Sequence, residues 1–361
     1  MPDVGQAPPL SSSRPTLTVA GNTQTLLSDR LLGLVVEETA EGLYHAEATF
    51  ANFDQVNNAI GFVYFDRSLL DFGKSFTVQM GAGIAASTVF TGRVMALEGR
   101  FPHLRPPEIL IKAEDRLQDL RMTRRTRTFE NLSDADLFQQ IASQQGLKAN
   151  VDVSGPTYKV LAQVNQSDLA FLRERARAVD AELWVDDTTL SLQSRAKRKA
   201  NELTLTYQQG LFEFSAMADL AHQSTGFSIT GWDIAAKQAL KYRATSSALA
   251  GEVNGDLGGS VALQNAIGSR EQQVVHHMPY TSQEAQALAE ASYRRWARRF
   301  VTGTGVADGD GRIQVGTSLT LQGLGTLFNG KFYVTAVRHL FDPQFGYRTW
   351  FAVERPGIGQ S

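Results

Sequence analysis

The chain has 361 residues, 42% hydrophobic and 20% charged, with a formal net charge of −2 at pH 7. This composition is typical of a folded protein with about two to four modules. The near-neutral charge excludes a global positive field for nucleic-acid binding, and the lack of cysteine excludes disulfides, thiolate metal sites and cysteine nucleophiles. With no signal peptide and no run of ~18 apolar residues, we expect cytoplasmic synthesis and no membrane binding.

The first large unit, residues 16–125, is predicted to be an antiparallel β-barrel domain that follows a flexible N-terminus at 1–15. Short segments such as 75–80 and 89–97 alternate apolar and polar residues, and glycines separate them. Period-two alternation between glycines favours short strands joined by turns.

Residues 126–200 carry helix signals and are predicted to form an α/β domain. Ser133 is a plausible N-cap, Gly146 ends the first helix, and a second helix starts near Ser167. A β-hairpin is predicted over 181–192. The basic run 195–199 is predicted to be a solvated linker.

Strand patterns return in the last part of the chain. We predict a second β-barrel domain from 201–240 and 301–356, interrupted by an inserted α/β subdomain at 241–300 and followed by a tail at 357–361. The predicted class is therefore mainly β (α+β), with two homologous barrel-like antiparallel β domains, an α/β insert and a small helical insert.

An internal repeat supports two related β domains. Gly73-Lys-Ser-Phe-Thr-Val-Gln79 matches Gly316-Thr-Ser-Leu-Thr-Leu-Gln322. Further along each copy, Phe90-Thr-Gly-Arg-Val matches Phe328-Asn-Gly-Lys-Phe. A weaker match pairs 46–50 with 227–231. The matched positions are Gly73, Ser75, Gln79 and Gly92 in the first copy and Gly316, Ser318, Gln322 and Gly330 in the second.

The repeat has a consequence for symmetry. Three chains with two similar units each present six similar faces around one axis, so a threefold object can contact a sixfold one. We therefore expect a symmetry adaptor.

Several segments resemble the phage late control D proteins and the N-terminal hub region of the type VI secretion VgrG proteins. They are Gly316-x-Ser-Leu-x-Leu, Phe328-Asn-Gly-Lys-Phe-Tyr-Val-Thr-Ala-Val-Arg-His339, Gly346-Tyr-x-Thr-Trp-Phe, Asn131-Leu-Ser-Asp-x-Asp-Leu-Phe and Gln166-Ser-Asp-Leu-Ala-Phe-Leu-Arg. The resemblance covers most of residues 15–355 and depends on the order and spacing of segments.

The resemblance implies the homotrimeric hub of a contractile-tail baseplate, which joins a hexameric inner tube or tube-initiator ring to a trimeric spike. Because the sequence stops at Ser361, soon after Glu354, Arg355 and Pro356, we expect the spike to be a separate polypeptide and these three residues to face it. Other baseplate proteins are further expected partners. The expected location is the cytoplasm during assembly and then the tail of a virion or the baseplate of an injection particle.

Candidate sites for metals or cofactors have simpler explanations. Asp308 and Asp310 occupy the first and third positions of a calcium loop, but Arg312 occupies the fifth, so a hairpin turn is favoured. His276 and His277 are adjacent, and adjacent strand residues point to opposite faces. We predict no metal, no cofactor and no catalytic residue.

Two alternatives to a structural hub stay open: a tail-associated cell-wall hydrolase and an OB-like nucleic-acid-binding protein. The basic runs at 121–127 and 294–299 could contact nucleic acid or an acidic partner, or could be solvated or interdomain arginines. No carboxylate pair with glycosidase spacing and no basic strands with interleaved aromatic residues are evident, so neither alternative is preferred. We expect no stable nucleic-acid binding.

Overall fold

The computed structural model describes residues 14–56, 59–81, 86–198, 200–233, 236–275 and 278–360. Strands dominate, as the predicted mainly-β class requires, and helices are confined to the connections and inserts. Among the residues described, no helix has the length and apolar character needed to cross a membrane.

The strands of the first β unit lie between residues 16 and 114. They are β1 (Thr16–Val19), β2 (Asn22–Thr23), β3 (Leu31–Thr39), β4 (His45–Ala51), β5 (Phe53–Val56), β6 (Ala59–Phe62), β7 (Ser75–Met80), β8 (Ser87–Arg100) and β9 (Glu108–Glu114).

The middle module contributes five strands among the described residues. They are β10 (Arg124–Ser133), β11 (Lys148–Asp152), β12 (Thr157–Ser167), β13 (Ala181–Asp186) and β14 (Thr189–Ser194).

The remaining strands belong to the second β unit and to its insert. They are β15 (Glu202–Tyr207), β16 (Gly210–Ala218), β17 (Gly226–Asp233), β18 (Gln238–Ala244), β19 (Leu257–Gly258), β20 (Glu271–Val274), β21 (Val301–Asp308), β22 (Ser318–Gln322), β23 (Gly330–Asp342), β24 (Gly346–Arg355) and β25 (Gly357–Ile358).

The helices are short, apart from one of 16 residues. They are α1 (Thr25–Asp29), α2 (Leu117–Arg121), α3 (Asp134–Gln144), α4 (Asp168–Ala178), α5 (Gly259–Ile267), α6 (Ser282–Ala297) and α7 (Gly325–Phe328), with a 3₁₀ helix at Ser246–Glu252.

The second β unit is a closed barrel. Its strands follow the order β15-β22-β23-β24-β21-β16, and the ring closes through a short pairing of β16 with β15. Apolar side chains fill it because alternate residues of each strand point inward. Phe332 and Phe351 are buried there, and Phe214 contacts both rings.

The first β unit has the corresponding order β1-β7-β8-β9-β4-β3, but it is a curved sheet rather than a closed barrel. Its strands β1 and β3 are not paired within the described residues. The sheet instead continues into the barrel, because β3 pairs antiparallel with β23. Both units therefore lie in one 13-stranded sheet of the described chain.

Five strands of each unit correspond in chain order, neighbours and direction. In that order, β3, β4, β7, β8 and β9 match β16, β21, β22, β23 and β24, and every neighbouring pair is antiparallel in both units. The sixth pair differs, since β1 runs antiparallel to β7 whereas β15 runs parallel to β22.

This correspondence corrects part of the sequence alignment. The counterpart of β4 is β21, whereas the weaker match assigned that role to residues 227–231. Those residues lie in β17, which pairs with β18 and β20 in a separate three-stranded sheet. The insert therefore begins just after β16, near residue 219, and includes residues that we had placed in the second barrel domain.

The middle module forms around the predicted helices and hairpin. Ser133 caps α3 by accepting the Asp136 N–H, and Ser167 caps α4 by accepting the Ala170 N–H. Strands β13 and β14 form the expected hairpin. Leu117 and Leu120 of α2 pack into this core, so the module begins before residue 126.

Two other boundaries differ from expectation. The predicted tail contains β25, which pairs with β19 of the insert, so residues 357 and 358 are part of the fold. The predicted flexible N-terminus lies outside the described residues up to residue 13, and β1 begins at Thr16.

Candidate functional site

The joint between the two β units contains a cluster of charged side chains that are largely shielded from solvent. Strands β3 and β23 pair from Leu34 with Phe341 to Thr39 with Ala336. This pairing places the glutamates of β3 beside the middle module and the barrel. The joint is therefore where three parts of the chain meet.

Arg198 lies at the centre of the joint and its side chain is 5% exposed. Its guanidinium donates to Glu182 at 3.0 Å, to the Tyr44 hydroxyl at 2.8 Å and to Glu38 at 3.5 Å. It also lies over the Trp184 ring, 4.3 Å from the centroid. One arginine thereby connects β3, β13 and the segment after β14.

A second arginine, Arg195, is 15% exposed and extends this cluster to the barrel. Arg195 lies 2.6 Å from Glu354 and 3.4 Å from Glu182, and it stacks on Tyr333 at 4.1 Å. The Tyr333 hydroxyl donates to Glu182 at 2.6 Å. Glu182 is therefore shared by both arginines and by a barrel tyrosine.

Burial changes the ionisation of these groups. Desolvation raises the pKa of Glu38, although Arg198 and the Val315 N–H oppose the change. Desolvation disfavours the charged form of Arg198, but the surrounding Tyr44, Glu182 and Glu38 more than compensate and raise its pKa. Arg198 stays charged, and it is the cation that opposes the rise in the pKa of Glu38.

These contacts overturn the predicted solvated linker at 195–199. Arg198 is buried, Arg195 is 15% exposed, and both form ion pairs inside the protein. Lys197 is exposed and pairs with Asp152. Lys199 lies outside the described residues. The sequence signal was weak because Glu38 and Glu354 are far away along the chain, and Glu182, 16 residues before Arg198, lies in another strand.

The insert is tied to the middle module by another buried arginine. Arg298 contacts Asp180 at 2.5 Å and Glu252 at 2.6 Å. The interdomain interpretation of the basic run 294–299 is thus confirmed for Arg298. In the earlier run, Arg127 pairs with buried Asp168 at 2.7 Å.

Two aromatic residues near the end of α6 have different environments. Phe300 is buried in the barrel core, whereas Trp296 is 40% exposed and contacts Phe227 at a centroid distance of 5.9 Å. Both residues pack on the protein's own modules.

His339 of β23 is buried beside the joint. Its Nδ1 lies 2.8 Å from the Tyr347 hydroxyl, and its strand position is opposite Val36. Burial lowers the pKa of His339 to about 4, with Asp310 opposing the change. The fold therefore holds a neutral imidazole.

We predict that acid destabilises the wild type more than a His339→Leu variant. Between the ordinary pKa of 6.5 and the folded value of about 4, the unfolded chain binds a proton that the folded chain does not. The free energy of unfolding of the wild type should fall by about 3 kcal/mol more than that of the variant between pH 7 and pH 4. Urea unfolding at several pH values measures this difference, and parallel pH dependences would contradict it.

Gly73 and Gly316 hold the same place in their hairpins. Each has a left-handed backbone, with φ of +77° and +92°, which glycine adopts without a steric penalty. The Gly73 N–H donates to the Val94 carbonyl and the Gly316 N–H to the Val334 carbonyl. Ser75 and Ser318 follow as the first paired residues of β7 and β22, and Gln79 and Gln322 lie near the ends of these strands.

Gly92 and Gly330 do not hold equivalent places. In the first hairpin, Gly92 is opposite Phe76. In the second hairpin, Leu319 is the equivalent of Phe76, and the residue opposite it is Phe332. The structural counterpart of Gly92 is therefore Phe332, two residues after the Gly330 that the sequence match gave. Gly330 lies at the start of β23, opposite Leu321.

The three predicted spike-facing residues lie at the end of β24. Glu354 pairs with Arg195, while Arg355 and Pro356 are buried. Arg355 donates to the carbonyl oxygens of Leu327 and Asn329 at 2.7 and 3.0 Å. Their side chains are enclosed by this chain, so any partner surface at this end must include their exposed neighbours.

The aspartates of the suspected calcium loop form a turn before β22. Asp310 pairs with Arg312 at 2.7 Å, and its amide donates to Thr349. Within the described ranges, no three His, Cys, Asp or Glu side chains come together as metal ligands. His276 and His277 lie outside those ranges.

The fold is that of phage tail proteins. The 43 kDa tail protein of prophage MuSo2 from Shewanella oneidensis has a TM-score of 0.71 and 14% identity, covering 95% of this chain and 98% of that chain. A tail protein from Neisseria meningitidis MC58 has a TM-score of 0.68 and 13% identity, with 96% and 98% covered. A type VI secretion system component from E. coli, itself similar to the T4 tail proteins gp27 and gp5, has a TM-score of 0.60 and 11% identity, with 92% and 76% covered.

The sequence matches the family model of the Alg8 N-terminal domain over residues 13–342, and the chain belongs to that family. A comparison with curated proteins finds no match in sequence. The predicted resemblance to tail-baseplate and VgrG-like proteins is confirmed at the level of the fold.

Proposed function

We propose that this protein is a structural hub in the baseplate of a contractile tail or injection system. In this proposal a homotrimer adapts the sixfold inner tube to a threefold spike. The single observation that carries the proposal is the correspondence of five strands between the two β units of each chain. Three such chains offer six similar units to a sixfold ring.

The comparisons support the same role. The similar solved structures are phage tail proteins and a type VI secretion component, and the chain covers nearly the full length of the first two. The proposed partners are a spike protein, an inner-tube or tube-initiator ring protein and other baseplate proteins. The proposed locations are the cytoplasm during assembly and then the virion tail or particle baseplate.

The buried charge at the joint fits a mechanical role. A hub that transmits force must keep its two β units in one orientation, and Arg195 and Arg198 connect both units to the middle module. Charged groups that are buried and paired resist separation, because opening the joint would leave a carboxylate without its partner.

Native mass spectrometry of the purified protein tests the proposal. We expect an assembly of three chains, each of 39.5 kDa. Electron-microscopic averages viewed along the axis should then show six similar lobes. A monomer would contradict the adaptor role, and so would a trimer in which the two lobes of each chain differ in shape.

A further inference from the structure

A cavity of about 330 Å³ opens where the ends of α4 and α6 meet the turn between β3 and β4. Five arginines line it: Arg177, Arg195, Arg295, Arg298 and Arg299. Arg195 and Arg298 are largely shielded from solvent and are held by the ion pairs described above. The other three are exposed and together form what we call the arginine rim.

The arginine rim carries more positive charge than its carboxylates balance. Arg177 pairs with Glu41, whose side chain is 60% exposed. The Arg295 guanidinium donates to the Arg177 carbonyl at 2.9 Å and forms no ion pair among the described residues. The Arg299 side chain has neither a hydrogen-bond partner nor an ion-pair partner in the part of the chain that the structure describes.

Arg295 lies in surroundings that disfavour its charge. Desolvation lowers its pKa and the positive charge of Arg177 lowers it further, while Asp180 and Glu41 oppose these effects more weakly. A carboxylate placed against the rim would offset both effects, because a nearby opposite charge stabilises the ionised guanidinium. Guanidinium groups bind carboxylates through paired hydrogen bonds, so unpaired arginines at a cavity are well suited to this ligand.

A second space, which we call the β12 groove, adjoins the cavity. It has a volume of about 490 Å³ and lies between β12 and the start of α6. Arg177 and Arg295 line both spaces, so the rim forms one side of the groove. Exposed apolar side chains also line the groove: Val160 and Tyr280 are each 57% exposed, and Met278 is 67% exposed.

The carboxylates in the described part of the β12 groove are Glu174 and Glu284, and neither forms an ion pair with the arginine rim. Glu174 accepts the side-chain amide of Gln166 at 3.0 Å, and the buried Glu284 accepts the Tyr280 N–H at 2.6 Å. The unpaired arginines of the rim are therefore not satisfied by the groove beside them.

We infer that the arginine rim and the β12 groove together bind an acidic peptide segment of another protein, with its carboxylates on the rim and its neighbouring apolar side chains in the groove. Charge complementarity selects the acidic partner. Val160, Met278 and Tyr280 favour a polypeptide over a free anion, because an inorganic ion has no apolar surface to bury against them. The site lies within one chain, so peptide binding does not require the proposed trimer.

Selection from a random linear peptide library against the full chain tests this site. We expect the enriched peptides to contain Asp or Glu beside large apolar residues. Fluorescence anisotropy of an enriched, labelled peptide then measures its affinity, which should fall by about tenfold or more in Arg295→Gln with Arg299→Gln. Because neither side chain forms an ion pair among the described residues, this double variant should keep the circular dichroism and the native mass of the wild type.

Arg105→Gln with Arg270→Gln is the matched control for charge. It removes two exposed arginines that line neither the cavity nor the groove, so the net charge changes by the same amount. The control should bind the peptide as the wild type does. Equal weakening in the two double variants would show a general attraction to positive charge and would overturn the site.

Val160→Glu tests the groove separately, because it places a carboxylate beside the peptide's own acidic residues. We expect about a tenfold loss of affinity. Val164→Glu is the control on the same strand, since Val164 is 63% exposed and lies outside the groove, and it should leave the affinity unchanged.

Three results would overturn the inference. One is a selection that enriches no acidic peptides, and another is an enriched peptide that binds the Arg295→Gln, Arg299→Gln variant as tightly as the wild type. The third is a lowered native mass of that folded variant, which would mean that a second copy of the chain covers the site. Binding of inorganic phosphate without enrichment of acidic peptides would assign the rim to a free anion instead.

Discussion

Arg198→Met should lower the free energy of unfolding by about 3–5 kcal/mol. The substitution keeps an unbranched apolar chain but removes the guanidinium, so Glu182 and Glu38 lose one of their cations at the joint. Burial already raises the pKa of Glu38, and the loss of Arg198 raises it further, so the variant should be most destabilised at high pH. Urea unfolding followed by tryptophan fluorescence measures the change, since Trp184 lies directly under Arg198.

Arg338→Met is the matched control because it breaks another ion pair of the same joint at the surface. The Arg338 side chain is 48% exposed and lies 2.7 Å from Glu37 across β3 and β23. Solvent screens such a pair, so we expect a loss of less than about 1 kcal/mol. Equal losses in the two variants would show that burial of the cluster contributes nothing to the joint.

Phe351→Ala should destabilise the closed barrel by about 3–5 kcal/mol. The ring is fully buried and contacts Phe214 at a centroid distance of 6.4 Å. It also packs on Gly305, where an added Cβ would lie only 2.5 Å from the ring. Truncation removes the buried apolar surface and leaves a cavity that these rigid strands can fill only in part.

Phe345→Ala provides the comparison for the barrel. Phe345 lies in the turn before β24 and is 58% exposed, so its loss should cost less than about 0.5 kcal/mol. Thermal unfolding of the two variants and the wild type distinguishes the outcomes. A small effect of Phe351→Ala would mean that the barrel does not depend on its aromatic core.

The two β units differ in how their edge strands are paired. The second unit closes on itself through β15 and β16, whereas the first leaves β3 free to pair with the barrel. An open unit and a closed unit in one chain produce one internal joint, the pairing of β3 with β23.

Local sequence signals predicted the features that depend on a few neighbouring residues. Ser133 and Ser167 cap their helices as expected, because capping involves side-chain and backbone groups within one turn. Gly73 and Gly316 are left-handed turn residues with equivalent hydrogen bonds, since the backbone conformation restricts those positions to small residues.

The register of the repeat could not be predicted from the motif. The β7–β8 pairing contains a bulge between Val78 and Gln79 that has no counterpart in the described β22–β23 pairing. A bulge inserts one unpaired residue, so the same distance along the sequence leads to a different opposite residue. The motif alone did not reveal this difference in spacing between the two hairpins.

The sequence by itself determined the mainly-β class, the capped helices of the middle module and the presence of a duplicated hairpin, because these follow from local periodicity and conformational preference. Only the tertiary structure decided that β3 pairs with β23, that Arg195 pairs with Glu354 and that Arg198 pairs with Glu38. Strand partners and buried ion pairs depend on which segments meet in space, and contacts between residues hundreds of positions apart leave no local pattern in a single sequence.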